Sequence, residues 1–171
     1  MHLPSDRTPF HLAHTLDCGQ VLRWHRQDGR WRGIVQGAVI VLRQTPGRLE
    51  AESSHEWVDG AFLAKYFRWD DDLPAIYHRL AQDVTAKALT KRYRGLRLIR
   101  QDPWECLVSY VCAIFKNIPA IQRMLDALAR RFGAPIPWIP PSEFALPYPQ
   151  QLALASVNAL RACGTGFRPG S

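Results

Sequence analysis

The spacing of apolar residues changes near residue 95, and this change restricts the fold more than any other feature of the chain. Before it, apolar or alternating segments of strand length are cut by turn signals at Asp28-Gly29, Gly37 and Pro46-Gly47. After it, apolar residues recur three and four apart, as on helices. The expected class is therefore α+β: an antiparallel sheet with flanking helices over 1–95, then a helical region over 96–171.

Within the first region, His11 to Glu52 reads as short strands. Asp28-Gly29 between Trp24 and Trp31 predicts a tight hairpin. Val39-Ile40-Val41-Leu42 is too short for a helix and reads as a strand of the same sheet. His11 and His14 on an alternating segment would face opposite ways, which argues against a shared ligand role. From Glu56 onward Phe62, Leu63, Tyr66 and Phe67 have helical spacing, Asp72-Leu73-Pro74 restarts a helix, and Gly95 ends a basic segment.

The clearest helix start is Asp102-Pro103-Trp104-Glu105. Asp102 can cap, Pro103 fills the first position where its missing N–H costs nothing, and Glu105 at the third position can bond back to the cap. Leu107, Val111, Ile114 and Phe115 then offer one apolar face. Pro119 starts a further helix with Ile121, Met124, Leu125 and Leu128 inward and Gly133 at its end. A proline-rich connection from Pro135 to Pro149 leads to two short helices, the second ending at Arg161.

Charge points toward nucleic acid. Lysine and arginine number 22 against 15 acidic residues, a net +7, with a pI near 9.6. Lys87, Lys91, Arg92, Arg94, Arg97 and Arg100 follow one another with no acidic residue between Asp83 and Asp102. Such a run serves either phosphate binding or a solvated helix face, and Arg97 and Arg100 deliver it to the Asp102 helix start, where an anion would sit. No apolar run of about 18 residues is present, and the amino terminus lacks a signal-peptide layout, so no membrane partner and a cytoplasmic location are expected. Cys18, Cys106, Cys112 and Cys163 have no metal-ligand spacing and are expected as reduced, mostly buried thiols. The six tryptophans are expected in the core or half-buried in the sheet. Asp70-Asp71-Asp72 reads as helix-start chemistry, so neither a metal nor a cofactor is expected.

Five ordered stretches carry a resemblance: Thr15-Leu16-Asp17-Cys18-Gly19-Gln20 with Arg23-Trp24, Gly29-x-Trp31-x-Gly33, Tyr66-Phe67, Arg97 to Leu107, and Leu160-Arg161-x-x-Gly164-x-Gly166-Phe167-Arg168. Together they resemble the amino-terminal portion of the 8-oxoguanine DNA glycosylases, base-excision repair enzymes of the helix-hairpin-helix superfamily. The resemblance implies a TBP-like antiparallel sheet with flanking helices, followed by the start of a helix-hairpin-helix glycosylase domain. It implies removal of oxidised guanine flipped out of duplex DNA, with strand cleavage by a lyase reaction. The expected partner is duplex DNA containing oxidised guanine, the expected state a monomer, and the expected compartment a nucleoid or, in a eukaryote, the nucleus.

The family's catalytic lysine follows a Gly-Val-Gly hairpin and its aspartate lies in Pro-Val-Asp. Neither motif occurs here, and Lys65, Lys87, Lys91 and Lys116 are the only lysines. No catalytic residue is therefore assigned, and these 171 residues alone are expected to be inactive. The resemblance places Gly19 where a backbone carbonyl accepts the N7–H that 8-oxoguanine has and guanine lacks; on its own such a glycine permits a tight turn. It places Phe167 as a wedge and Arg168 as a contact to the widowed cytosine. Among Phe115, Lys116 and Asn117 only Asn117 keeps the family's asparagine-rich turn. Phe115 replaces a cytosine-touching asparagine, and Ala120 a cytosine-reading arginine. Phe115 suits either a wedge or core packing after Val111, and Lys116 either a phosphate or a helix end. The alternatives are a non-catalytic DNA-binding module of the same ancestry and a sheet-based protein-interaction domain whose charge is incidental.

Overall fold

A computed structural model describes residues 2–4, 8–138 and 143–165. Five strands form one antiparallel sheet: β1 (His2–Pro4), β2 (Trp24–Gln27), β3 (Arg30–Val35), β4 (Ala38–Thr45) and β5 (Arg48–Ser53), in the order β1-β5-β4-β3-β2. The β2–β3 hairpin closes through Asp28 and Gly29, at φ 50° and 74°. Positive φ at both central residues matches the twist of the paired strands. Gln36 and Gly37 repeat this pattern between β3 and β4.

The continuous apolar run in β4 follows from burial on both faces. Ala38, Ile40 and Leu42 enter the main core with Trp24, Trp31, Leu49, Leu63, Tyr66 and Phe67. Val39 points the other way, onto Ile34 and Ile136. Alternate side chains of a strand leave on opposite faces, so a strand covered twice loses its alternation.

One segment departs from the strand reading of His11 to Glu52. Leu12–Leu16 forms a short helix, α1, capped by the His11 ring, which accepts the His14 N–H at 3.1 Å. Leu12, Thr15 and Leu16 are its buried side, a three-and-four spacing that five residues are too few to reveal. His11 and His14 consequently share a face, with rings stacked at 3.6 Å.

Helices α2 (Gly60–Tyr66), α3 (Leu73–Leu80) and α4 (Val84–Arg92) start at Asp59, Asp72 and Asp83, each of whose carboxylates accepts the N–H three residues on. After Ile99, which joins the sheet core, come α5 (Pro103–Cys112) and α6 (Ile118–Phe132). The Asp102 carboxylate accepts from Trp104 and Glu105, and the Asn117 side chain from Ala120. The proline-rich connection holds a small ladder, β6 (Pro135–Ile136) with β7 (Glu143–Phe144), and leads to α7 (Pro149–Ala153) and α8 (Val157–Ala162). Gly133 caps α6 at φ −86°, so a left-handed cap is not the reason for glycine. A Cβ there would stand 1.8 Å from the Ala145 carbonyl oxygen.

The second core joins Val108 and Cys112 of α5 to Ile121, Met124, Leu125 and Leu128 of α6, with Leu146 and Cys163. This corrects the expected inward face of α5. Leu107, Val111 and Ile114 are about half exposed and Phe115 is 88% exposed. Helix α6 packs along the Trp104-Val108-Cys112 line instead, leaving the more apolar stripe outward. Two of the four thiols, Cys18 and Cys106, are likewise exposed rather than buried.

Candidate nucleic-acid interface

Gly19 lies in the loop after α1, exposed and at φ +86°. Its neighbour Gln20 fixes the loop. The Gln20 amide donates to the carbonyls of Thr15 (2.9 Å) and Arg97 (2.8 Å), and its oxygen accepts the Ile99 N–H at 2.8 Å. The loop is thereby held against the strand-like segment that precedes α5. A Cβ at Gly19 would lie 3.5 Å from Ile118 Cδ1. Gly19 thus stands beside the α5–α6 turn, which carries Phe115, Lys116 and Asn117.

That turn is built by short-range bonds. Ala113 N–H donates to the Tyr110 carbonyl and Lys116 N–H to the Ala113 carbonyl, each at 3.1 Å. Phe115 sits between them at φ 54°, with Lys116 exposed next to it. Asn117 already has a structural duty, since its Oδ1 accepts the Ala120 N–H at 3.0 Å. Four of the six candidate positions are thus placed together: Gly19, Phe115, Lys116 and Asn117. Phe167 and Arg168 lie outside the described residues.

The basic stretch divides into two kinds of cation. Lys87, Lys91, Arg92 and Arg94 are exposed on or just after α4. Arg97 is only 2% exposed and is no phosphate ligand. Its Nε donates to the Pro9 carbonyl at 3.1 Å, Nη1 to the Arg68 carbonyl and Nη2 to Thr8 Oγ1. Arg100 forms a bidentate pair with Asp70 at 3.2 and 2.9 Å, a bond that holds the Asp70 carboxyl below its usual range. The anion site expected of these two arginines at the α5 start is therefore absent. Their sequence neighbours gave no sign of Asp70 or Pro9 as partners.

Glu105 also departs from expectation. Its Oε1 accepts the Gln36 N–H at 2.8 Å, tying α5 to the β3–β4 turn. Burial pushes its carboxyl up to about 7, against the opposing pull of that bond and of Arg23. Arg23 is 8% exposed and donates from Nη2 to the Phe144 carbonyl at 2.8 Å, and desolvation pulls its pKa down. Among the described residues its Nε and Nη1 have no hydrogen-bond partner. Asp126 Oδ1 is 3.9 Å from Nε. This charge group around the buried Arg23, made by Glu105, Asp126 and Glu143, was not visible in the sequence because its members lie far apart in the chain.

The remaining candidates are structural. Trp24 and Trp31 are core residues, while Trp57 is 42% exposed. Asp70 and Asp71 pair with Arg100 and Arg68, and Asp72 caps α3. Among the described residues no group of three metal-ligating side chains occurs, and no helix is long and apolar enough to cross a membrane.

The sheet with its flanking helices, followed by the packed α5–α6 pair, is the fold of solved DNA glycosylases. MBOgg1, solved in complex with a low-affinity DNA ligand, superposes with a TM-score of 0.90 at 26% identity, over 97% of this chain and 57% of its own. The apo 8-oxoguanine glycosylase/lyase of Clostridium acetobutylicum gives a TM-score of 0.87 at 26% identity, over 92% of this chain and 56% of its own. Residues 2–107 match the family described as 8-oxoguanine DNA glycosylase, N-terminal domain, and the chain belongs to that family. An N-glycosylase/DNA lyase of Saccharomyces cerevisiae is 28% identical over 97% of this chain and 48% of its own length. The chain spans about half the length of the curated relatives it matches.

Proposed function

We propose that this chain supplies the lesion-recognition part of a bifunctional 8-oxoguanine DNA glycosylase and AP lyase, acting on duplex DNA that contains oxidised guanine. The observation that carries this reading is the placement of Gly19 beside the Phe115-Lys116-Asn117 turn, within a chain whose first 107 residues match the family from position 2. The Gly19 carbonyl accepts N7–H of the flipped lesion. Normal guanine leaves that acceptor unpaired, at a cost of about 1–3 kcal/mol. Phe115, Lys116 and Asn117 face the duplex at the flipped site, and Phe167 and Arg168 serve as wedge and cytosine contact. The sheet unit is residues 1–95 and the glycosylase portion residues 96–171. The protein acts as a monomer where DNA is held, in a nucleoid or nucleus.

The chemistry of base release needs an amine nucleophile, and none of the four lysines stands in the family's catalytic context. The 171 residues alone therefore bind without cutting. Fluorescence anisotropy on duplexes with 8-oxoguanine or guanine opposite cytosine tests the binding. Affinity is expected to fall steeply with salt as counterions are released, and to favour the lesion. Salt-independent or absent binding defeats the reading. Borohydride trapping is expected to yield no covalent adduct, and a robust adduct would show that the nucleophile is already present.

A further inference from the structure

We propose that Lys87, Lys91, Arg92 and Arg94 grip the phosphate backbone of the duplex to one side of the lesion, at a second contact separate from the Gly19 loop. The inference rests on the DNA-repair reading above and adds to it a binding surface on the sheet unit and a direction along the DNA.

None of the residues of α4 is fully buried. Ala86 and Thr90 form its half-buried side, while Lys87, Ala88 and Lys91 form the opposite, exposed one. Lys87 and Lys91 stand about 6 Å apart along the helix axis, and the small Ala88 between them leaves room for a backbone to lie against the helix. Arg92 and Arg94 carry the exposed charge past the helix end. Elsewhere Arg23, Arg30, Arg32, Arg68 and Arg100 each meet a carboxylate. The four α4 cations meet none among the described residues, and no acidic residue occurs between Asp83 and Asp102. Asp83 is itself engaged as the cap, accepting the Ala86 N–H at 2.7 Å. Like charges four apart on a helix destabilise it. The helix dipole offsets this for Lys91 and Arg92 in the last turn, but Lys87 lies a turn further in. A row of phosphates supplies counter-charge for all four. The exposed side of α4 has one large apolar residue, Val84 at its far end, so it suits a polyanion better than a protein face, whose centre is depleted of charge.

These cations are fixed relative to the lesion loop. The Tyr93 ring meets His14 of α1 edge-on at 5.6 Å, and the His11 N–H donates to the Gly95 carbonyl at 2.9 Å. A Cβ at Gly95 would lie 2.7 Å from the His11 nitrogen, so the chain leaving α4 is in direct contact with α1. Two residues on, the Arg97 carbonyl accepts from Gln20, the neighbour of Gly19. Tyr93 and Arg97 are four residues apart, a span of at most about 14 Å, or about four base-pair steps of ~3.4 Å. Cations held at that distance from the flipped base meet the flanking backbone rather than the lesion. Contacts of this kind set register and affinity without reading sequence.

The test measures binding of the 171-residue chain to duplexes carrying 8-oxoguanine or guanine opposite cytosine, over a range of salt. One variant combines Lys87→Ala, Lys91→Ala, Arg92→Ala and Arg94→Ala, alanine being the residue best suited to an exposed helix. A control combines Arg26→Ala, Arg43→Ala, Arg48→Ala and Arg130→Ala, exposed cations off α4 whose loss lowers net charge equally. Circular dichroism confirms the fold of each. The α4 variant is expected to bind about tenfold or more weakly at low salt. Its slope of log affinity against log salt is expected to flatten by at least about two units more than the control's, each phosphate contact contributing about 0.9. The preference for the lesion is expected to stay within about twofold of wild type, since phosphate contacts carry no base information. A smaller difference between the variants overturns the grip, leaves these cations to solvent or to an acidic protein, and spares the repair reading. A lost lesion preference in the α4 variant also overturns it, by making the cations part of base recognition. A further measurement needs only wild type, on duplexes cut back to about two base pairs beyond the lesion on either side in turn. One cut is expected to flatten the slope and the other to leave it, and equal effects overturn the one-sided contact. Absence of DNA binding by wild type overturns the repair reading and the grip together.

Discussion

Gln20 pairs with Ile99 as a neighbouring strand would, its side-chain oxygen accepting the Ile99 N–H at 2.8 Å while its nitrogen donates to the Arg97 carbonyl at 2.8 Å. One side chain thus satisfies two main-chain groups 77 and 79 positions away.

Gln20→Ala leaves both groups unpaired and is expected to cost about 2–6 kcal/mol, from about 1–3 for each partly buried group. Urea unfolding monitored by tryptophan fluorescence measures it. Because the loop also carries Gly19, lesion preference is expected to fall while the salt dependence of binding stays. A loss below about 0.5 kcal/mol would mean that water replaces the amide freely.

Arg97 has three acceptors and, among the described residues, no carboxylate in ion-pair contact. Lysine cannot reproduce this fork. Arg97→Lys is expected to destabilise the fold by about 2–4 kcal/mol. The slope of log affinity against log salt is expected to remain as in wild type, since no phosphate contact is lost. A slope reduced by about one unit would return Arg97 to the DNA.

Glu105 makes stability depend on pH in an unusual direction for a carboxyl. Its pKa rises from an ordinary 4.5 to about 7 on folding, so the folded state holds its proton more tightly. The stabilisation from that proton is complete below about 4.5 and is lost as pH rises through about 7. Between these limits wild type is expected to lose up to about 3 kcal/mol from this group. Glu105→Gln keeps an acceptor for Gln36 and is expected to flatten that part of the profile. Parallel profiles for the two proteins would remove Glu105 as the cause.

Gly33 faces Trp24 across the β2–β3 ladder, and a Cβ there would lie 2.2 Å from the indole. The same indole donates to Tyr66 Oη at 3.0 Å, joining sheet to α2. Gly33→Ala must displace the ring and is expected to cost about 2–3 kcal/mol, at the upper end for overpacking. Near-ultraviolet circular dichroism should show the altered tryptophan environment, and an unchanged spectrum with unchanged stability would contradict the contact.

What the sequence disclosed was mainly local. Asp28-Gly29, the β4 run, and the helix starts at Asp72 and Asp102 act within a few residues of themselves, and each takes its expected place. The main departures concern choices made by distant partners. Arg97 and Arg100 look alike in a basic run, yet one is enclosed by Thr8, Pro9 and Arg68 and the other meets Asp70. The more apolar α5 stripe is the one left outward, because the position of α6 decides which face is covered. Glu105 had a plausible local acceptor role at its own cap, and a turn 69 residues away claimed it. In the candidate site, Gly19 and Asn117 were legible through matched motifs, whereas their proximity required the fold.

The enclosure of residues 8–15 has a consequence for synthesis. Gln44 holds Leu12 and Phe10, Arg97 holds Thr8 and Pro9, the Gly95 carbonyl receives the His11 N–H, and Thr15 Oγ1 receives the Arg97 N–H. Four of these six ties come from beyond α4, so the hairpins can pair as they leave the ribosome, but the segment before them cannot be sealed. It must wait until residue 97 has emerged, and contacts of such long sequence separation form slowly. Translation order and native order thus run opposite ways: residues made before the hairpins are locked after them.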